Sequence, residues 1–377
     1  GLTVSAEEII KDRKILKREK FLNLSRGSYL LSKMGLLFFI SAVQTFCFVL
    51  TGNFILEIKG MYMDYCLVLF TASCFANMLG LNISSAFNSV VTIYILIPFL
   101  LIPQLLLSGV IVKFDELHPA LSRKSVVPLT GDLMTSRWAF EALAVNQFQN
   151  NRYEKNLYPY EKEMSNAAFK RSRWCGKMQE ICADCEKSID TGTQNELFKE
   201  NLQLLKNEIE NEQKKSNIQF EMLAELQKGM FNPEISEKIK LYLGIVKKHY
   251  AALFNEANKT RDQYVLAFQQ TEERKKNFNL LREENHNLKI EELVKDDNPL
   301  ANPVFIDDGR IYSNEKPVFR DAEPDSFIRA HLYAPNKYIF GKSVSTFWVN
   351  IIVIWMMSVV LVVALYYDVL RKIINLL

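Results

Sequence analysis

Two groupings of side chains have types and spacing that could do chemistry. Cys182-Ala183-Asp184-Cys185, with Cys175 nearby, has the interval of a redox or zinc pair. No histidine accompanies it, because His118, His249, His286 and His331 are far apart and follow no ligand spacing. In an oxidising compartment the three cysteines would form one disulfide, and the sequence leaves open which two of Cys175, Cys182 and Cys185 pair. Asp307-Asp308-Gly309 has the start of a calcium loop without its other ligands, so it reads as a turn. The sequence has no Gly-rich phosphate loop ending in Lys-Ser or Lys-Thr. The expectation is no catalytic residue, no metal site and no cofactor in this chain; if the protein depends on ATP, some other polypeptide region binds it.

The elements around these residues are of two kinds. The chain has 377 residues, 49% hydrophobic, with a net charge of +3, which gives no reason to expect nucleic acid as a partner. Its mean hydropathy near zero conceals a segregated composition. Residues 35–112 carry only Glu57, Lys59 and Asp64 as charges, whereas residues 150–295 are rich in Lys, Glu, Asn and Gln. A helix needs about 20 apolar residues to cross a bilayer, and residues 35–55, 65–87, 90–112 and 345–367 qualify. The fold class is therefore mainly α, a polytopic helical membrane protein with four spans.

Orientation follows from Lys and Arg near the span ends. Lys11, Arg13, Lys14, Lys17, Arg18, Lys20, Arg26 and Lys33 precede the first span, Lys59 alone lies between the first two, and Arg371-Lys372 follows the last. Both ends are expected in the cytoplasm and residues 113–343 outside, in a cell (plasma or inner) membrane. Residues 1–33 then form a cytoplasmic segment, 34–112 three spans, 113–149 an outer membrane-surface segment, 150–343 an external insert, and 344–377 the last span with a short tail. Within the insert, a 4-3 spacing of Ile239, Leu243, Val246, Tyr250 and Leu253 continues to Leu288, and Gly229 and Pro233 interrupt an earlier helix. The pattern predicts a helical hairpin over 194–295, its longer arm ~80–90 Å if unbroken. It is read as packed on itself rather than as an arm reaching a partner. Pro299, Pro303, Pro317, Pro324 and Pro335 make 297–340 an irregular return to the membrane.

Three segments resemble the membrane domain of ABCG-type (type-2) ABC exporters. Lys17-Arg18-Glu19 precedes Ser28-Tyr29-Leu30-Leu31-Ser32-Lys33 and a span. Gly80-Leu81-Asn82-Ile83-Ser84-Ser85-Ala86 is followed by Pro98, Pro103-Gln104 and Leu107-Ser108-Gly109-Val110-Ile111. Ser136-Arg137-Trp138-Ala139-Phe140-Glu141-Ala142-Leu143 then leads to Asn146-Gln147-Phe148, with Trp and Gln where the family has Tyr and Glu. The resemblance covers residues 1–150 and the last span. The insert exceeds the family's usual external loop, which suggests a bacterial exporter.

The resemblance implies that the four spans are helices three to six of six. Helices one and two and an ATP-binding domain would then precede Gly1 in the same polypeptide, with residues 1–8 as the cytoplasmic continuation of helix two. The function implied is the permease part of an ATP-driven exporter of a hydrophobic or amphipathic substrate, working by alternating access with a second copy or a related half-transporter. Arg13, Lys17, Arg18, Glu19 and Lys20 would couple to the ATP-binding domain, although such a segment also suits anionic lipid. Thr92, Pro98 and Ile102 would line the path, and Val110 and Ile111 would close its outer end unless they merely face lipid. Ser136, Arg137, Trp138 and Glu141 carry the family motif. The competing reading is a membrane-anchored coiled-coil scaffold of the envelope without transport activity.

Overall fold

The computed structural model describes residues 1–19, 25–114, 125–192, 196–227, 229–296 and 302–376. In chain order, α1 (Leu2–Glu19), α2 (Arg26–Ile55), α3 (Tyr62–Ala86) and α4 (Val90–Leu106) are followed by the short α5 (Leu129–Asp132) and by α6 (Thr135–Asn150). Next come α7 (Tyr158–Ala168), a π-helical stretch (Phe169–Trp174), α8 (Cys175–Asp190), α9 (Glu196–Ser216), α10 (Leu223–Gln227), α11 (Pro233–Phe268), α12 (Glu272–Asn285) and α13 (Leu288–Lys295). Strands β1 (Val304–Asp307) and β2 (Arg310–Ser313) form one antiparallel hairpin, and β3 (Asn336–Ile339) and β4 (Lys342–Ser345) another. The chain ends with α14 (Thr346–Tyr366) and α15 (Val369–Leu376). Two compact units result: Gly1–Arg152 with Glu284–His286 and Ala322–Leu377, and Tyr153–Glu283 with Asn287–Asp321.

In the first unit α3 is central, with α1, α2, α14 and α6 packed on it. Leu30, Met34, Leu37, Ser41, Thr45, Val49 and Asn53 form the buried stripe of α2, a helical period that leaves the other faces open. Its polar members meet α3: Ser73 Oγ donates to Ser41 Oγ at 2.9 Å, and Asn77 Nδ2 donates to the same oxygen at 2.8 Å. Residues 2–8 belong to α1, whose Leu2, Ser5, Ala6 and Ile9 are buried. Gly80 permits this approach, since a Cβ there would lie 2.0 Å from Ser5 Oγ and 2.8 Å from the Leu2 carbonyl oxygen.

Helices α2, α3 and α14 are long and apolar enough to cross a membrane, and the apolar α4 is shorter. The expected span at 90–112 therefore stops at Leu106, after about 25 Å of helix. The chain turns at Gly109 (φ 80°), and the Phe114 ring lies 2.7 Å from where a Cβ on that glycine would be.

The second unit is a helical bundle with the β1–β2 hairpin. Its core includes Trp174, Met178 and Ile181 of this unit's first helices, Leu205 and Ile209 of α9, and Ile239, Leu243 and Val246 of α11. The expected two-armed hairpin over 194–295 is replaced by this bundle, in which α11 packs on α7 and α8. The early arm is broken at Asn217 (φ 56°) and the long arm ends at Phe268, short of Leu288. At the break before α11, Asn232 caps the new helix by accepting from the Ile235 N–H at 2.8 Å, with Pro233 in its first turn.

One further expectation is corrected. Cys175, Cys182 and Cys185 are free thiols rather than a disulfide pair and an odd cysteine. All three are buried on α8, where Cys182 Sγ meets Ser236 Oγ at 3.1 Å. Burial pushes their thiols up, to about 11 for Cys175 and about 12 for Cys185. Residues 322–343, the end of the segment expected outside the membrane, fold with the membrane helices.

Candidate functional site

The motif on α6 is the place where charge is buried. Positions i and i+4 of a helix share a face, so Arg137 Nη1 reaches Glu141 Oε2 at 2.9 Å. Lys337 of β3 donates to the same oxygen at 2.5 Å, and Asn350 of α14 donates to it at 2.8 Å. Lys337 also donates to Asn350 Oδ1 at 2.8 Å, and Asn350 Nδ2 to the Trp138 carbonyl at 2.9 Å. Arg137, Glu141, Lys337 and Asn350 are each exposed by 1% or less. Arg137 stacks 3.4 Å from the Trp138 ring centroid and also pairs with Asp132, which accepts from Arg329 Nε at 3.0 Å.

Burial alone would raise the Glu141 carboxyl, but the charges of Lys337 and Arg137 and the hydrogen bonds of Lys337 and Asn350 hold it below its ordinary value. Burial pushes the Lys337 ammonium down to about 8 despite Glu141, with Arg137 acting in the same direction. Arg137 Nε and Glu141 Oε1 are buried without a hydrogen bond. The arrangement ties α6, the β3–β4 hairpin and α14 to one carboxylate oxygen, using segments remote in sequence.

The same helix is tied to α4. The Ser136 N–H donates to Gln104 Oε1 at 3.2 Å, and Ser136 Oγ donates to the Gln104 carbonyl. Ile93 and Ile97 of α4 are buried with Leu2, Ala6 and Ile83. Its remaining surface is open and apolar, and Thr92, Pro98 and Ile102 lie in it. Val110 and Ile111 lie beyond the helix end and are exposed.

Of the segment expected to couple to an ATP-binding domain, Arg13 points inward. Its Nη2 donates to the carbonyls of Ser85 at 3.1 Å and Phe87 at 3.0 Å, satisfying the end of α3. Arg18 is exposed. Lys20 lies outside the described residues, as do the side chains of Lys17 and Glu19. Lys33 at the start of α2 pairs with Glu8 and Asp12 of α1, both at 2.8 Å.

Sequence reasoning located Ser136, Arg137, Trp138 and Glu141 but missed Lys337 and Asn350. Lys337 follows no local pattern, whereas Asn350, a polar residue in an otherwise apolar helix, was a usable signal. Among the described residues, no group of His, Cys, Asp and Glu could hold a metal ion.

No curated protein and no solved structure matches the chain. The protein-family model described as ABC-2 type transporter matches residues 1–148, which include α1 to α4 and the motif on α6. That family is the membrane part of ABC transporters, which work with an ABC ATP-binding domain, and it is residues 1–148 of this chain that are similar to it.

Proposed function

We propose that the chain is the permease half of an ATP-driven exporter that moves a hydrophobic or amphipathic substrate by alternating access. The observation that carries this reading is the open face of α4. Val91, Ile95, Phe99, Ile102 and Leu105 are exposed beside Thr92 and Pro98, a wall that offers apolar contact and few polar partners. Pro98 and Pro103 remove two backbone donors from this helix, which gives it a place to bend. Gln104 and Ser136 latch its end to the α6 motif, so a movement of α4 would be felt at the Glu141 cluster.

In this reading the open face of α4 meets a second copy or a related half-transporter, and the substrate passes between them. Val110 and Ile111 close the outer end, both chain ends are cytoplasmic, and residues 113–343 are external in the plasma membrane. ATP and Mg bind to the partner ATP-binding domain, and Arg18, with Lys17, Glu19 and Lys20, transmits its closure. The scaffold alternative uses the second unit but gives no role to the α4 surface.

The test is the full transporter with its ATP-binding domain in lipid vesicles. Vanadate-sensitive ATPase activity, raised by apolar or amphipathic compounds and accompanied by their movement, is the expected result. ATP hydrolysis or transport insensitive to Ile102→Asp and Phe99→Asp would remove α4 from the path. No vanadate-sensitive hydrolysis at all would favour the scaffold.

A further inference from the structure

Helix α14 does not run on into α15. Tyr367 ends it and Asp368 takes φ 51°, after which α15 begins with the Lys372 N–H bonded to the Asp368 carbonyl at 3.0 Å. Arg26 fixes this elbow by pairing with Asp368 at 2.5 Å and donating to the Leu365 carbonyl at 3.1 Å. At 100° per residue, Val369, Leu370, Ile373, Ile374 and Leu376 fall on one side of α15, and Arg371, Lys372 and Asn375 on the other.

The apolar side is only half covered. Leu370 and Ile374 are partly buried, α15 packing on α3 and α14, whereas Val369, Ile373 (49% exposed) and Leu376 (87% exposed) are bare. Arg371 and Lys372 are exposed, and no described carboxylate pairs with either. Arg371 lies within electrostatic reach of Arg13, and Asp368, the carboxylate that also reaches Arg13, is already held by Arg26. The surface at the end of α14 therefore combines a bared apolar half-face with uncompensated positive charge.

We propose that α15 is an interfacial anchor selective for anionic phospholipid. Val369, Ile373 and Leu376 enter the acyl-chain boundary, and Arg371 and Lys372 hold the headgroup. A lipid surface is the occupant because α15 starts three residues after a membrane-length helix, which places it at the membrane boundary. The charge of its polar side complements anionic headgroups. The inference rests on the membrane-domain assignment and not on the exporter reading.

The test uses the whole purified chain, equilibrated in detergent with equal amounts of phosphatidylglycerol and phosphatidylcholine, and native mass spectrometry of the lipids retained. Wild type should retain phosphatidylglycerol preferentially. Arg371→Gln with Lys372→Gln should weaken that preference about fivefold per charge removed, and Arg371→Lys with Lys372→Arg should keep it. A wild type that retains both lipids equally overturns the proposal, and so does a Gln variant with undiminished preference or loss of preference in the charge-conserving variant. In vesicles, a tryptophan introduced by Ile373→Trp should be quenched by lipids brominated high in the acyl chain more than by lipids brominated at its end. No quenching by either would remove α15 from the membrane.

Discussion

A carboxylate without solvent exposure persists at position 141 because Arg137, Lys337 and Asn350 all converge on Oε2. Desolvation makes each charge costly alone, and the cost is offset only while the set is complete. Glu141→Gln keeps the shape but leaves Arg137 and Lys337 with less opposing charge. The expected loss is about 3–5 kcal/mol, read as a lower unfolding temperature in detergent. Adding Lys337→Met should recover part of it, because the second substitution removes a buried charge left without its partner. The Lys337 ammonium also sets a pH dependence. It is pushed from its ordinary 10.5 to about 8, so between those values the unfolded chain binds more protons than the folded one. Stability should rise with pH across that window. The melting temperature of wild type relative to Lys337→Met should therefore climb from pH 8 to 10.5; a constant difference would mean that the ammonium is not depressed.

The membrane helices differ in how much of them the sequence revealed. Helices α2, α3 and α14 appear as uncharged runs because most of their length is apolar; α3 and α14 end within three residues of the expected limits, whereas α2 begins at Arg26, nine residues before its apolar run. The end of α4 did not appear, since residues 107–112 are as apolar as the helix and only the packing of Phe114 against Gly109 and Gly131 turns the chain. The α6 motif was legible as local spacing, whereas Lys337 and Asn350 join it through contacts that leave no periodicity. The heptad pattern after Ile239 was real as far as Val246, all buried, but beyond Phe268 its Thr and Arg positions gave no apolar seam to sustain one helix. The Gly109 turn yields a prediction at this scale. Gly109→Ala meets both a φ of 80° and a Cβ position 2.7 Å from the Phe114 ring, and should cost about 1–3 kcal/mol. Combining it with Phe114→Ala removes the clash but not the backbone strain. If strain dominates, the double variant should unfold no later than the sum of the two single losses allows; recovery to wild type would assign the whole effect to the ring.

At the scale of the whole molecule, two chemically different units serve one membrane protein. The second unit has a core of its own, and its three cysteines are buried with their thiols raised by that burial. A reductant should leave its unfolding temperature unchanged, and thiol labelling of Cys175, Cys182 and Cys185 should wait for unfolding; a reductant-sensitive melt would mean a disulfide after all. In the exporter reading proposed above, the first unit receives work from an ATP-binding domain, and the division of labour along α1 offers a place to test for it. Arg13 is spent on the carbonyls of Ser85 and Phe87, so its loss should loosen α1 from α3 and lower stability. Arg18, one helical turn and more beyond it, is exposed and free to meet a partner. Arg18→Glu should therefore leave folding and ATP hydrolysis in place while lowering the amount of substrate moved per ATP, and Arg13→Gln should lower stability and transport together. The pair separates contact with the motor from support of the helix that carries it. Unchanged transport per ATP in Arg18→Glu would take the coupling role away from this segment and leave its basic residues to the lipid headgroups.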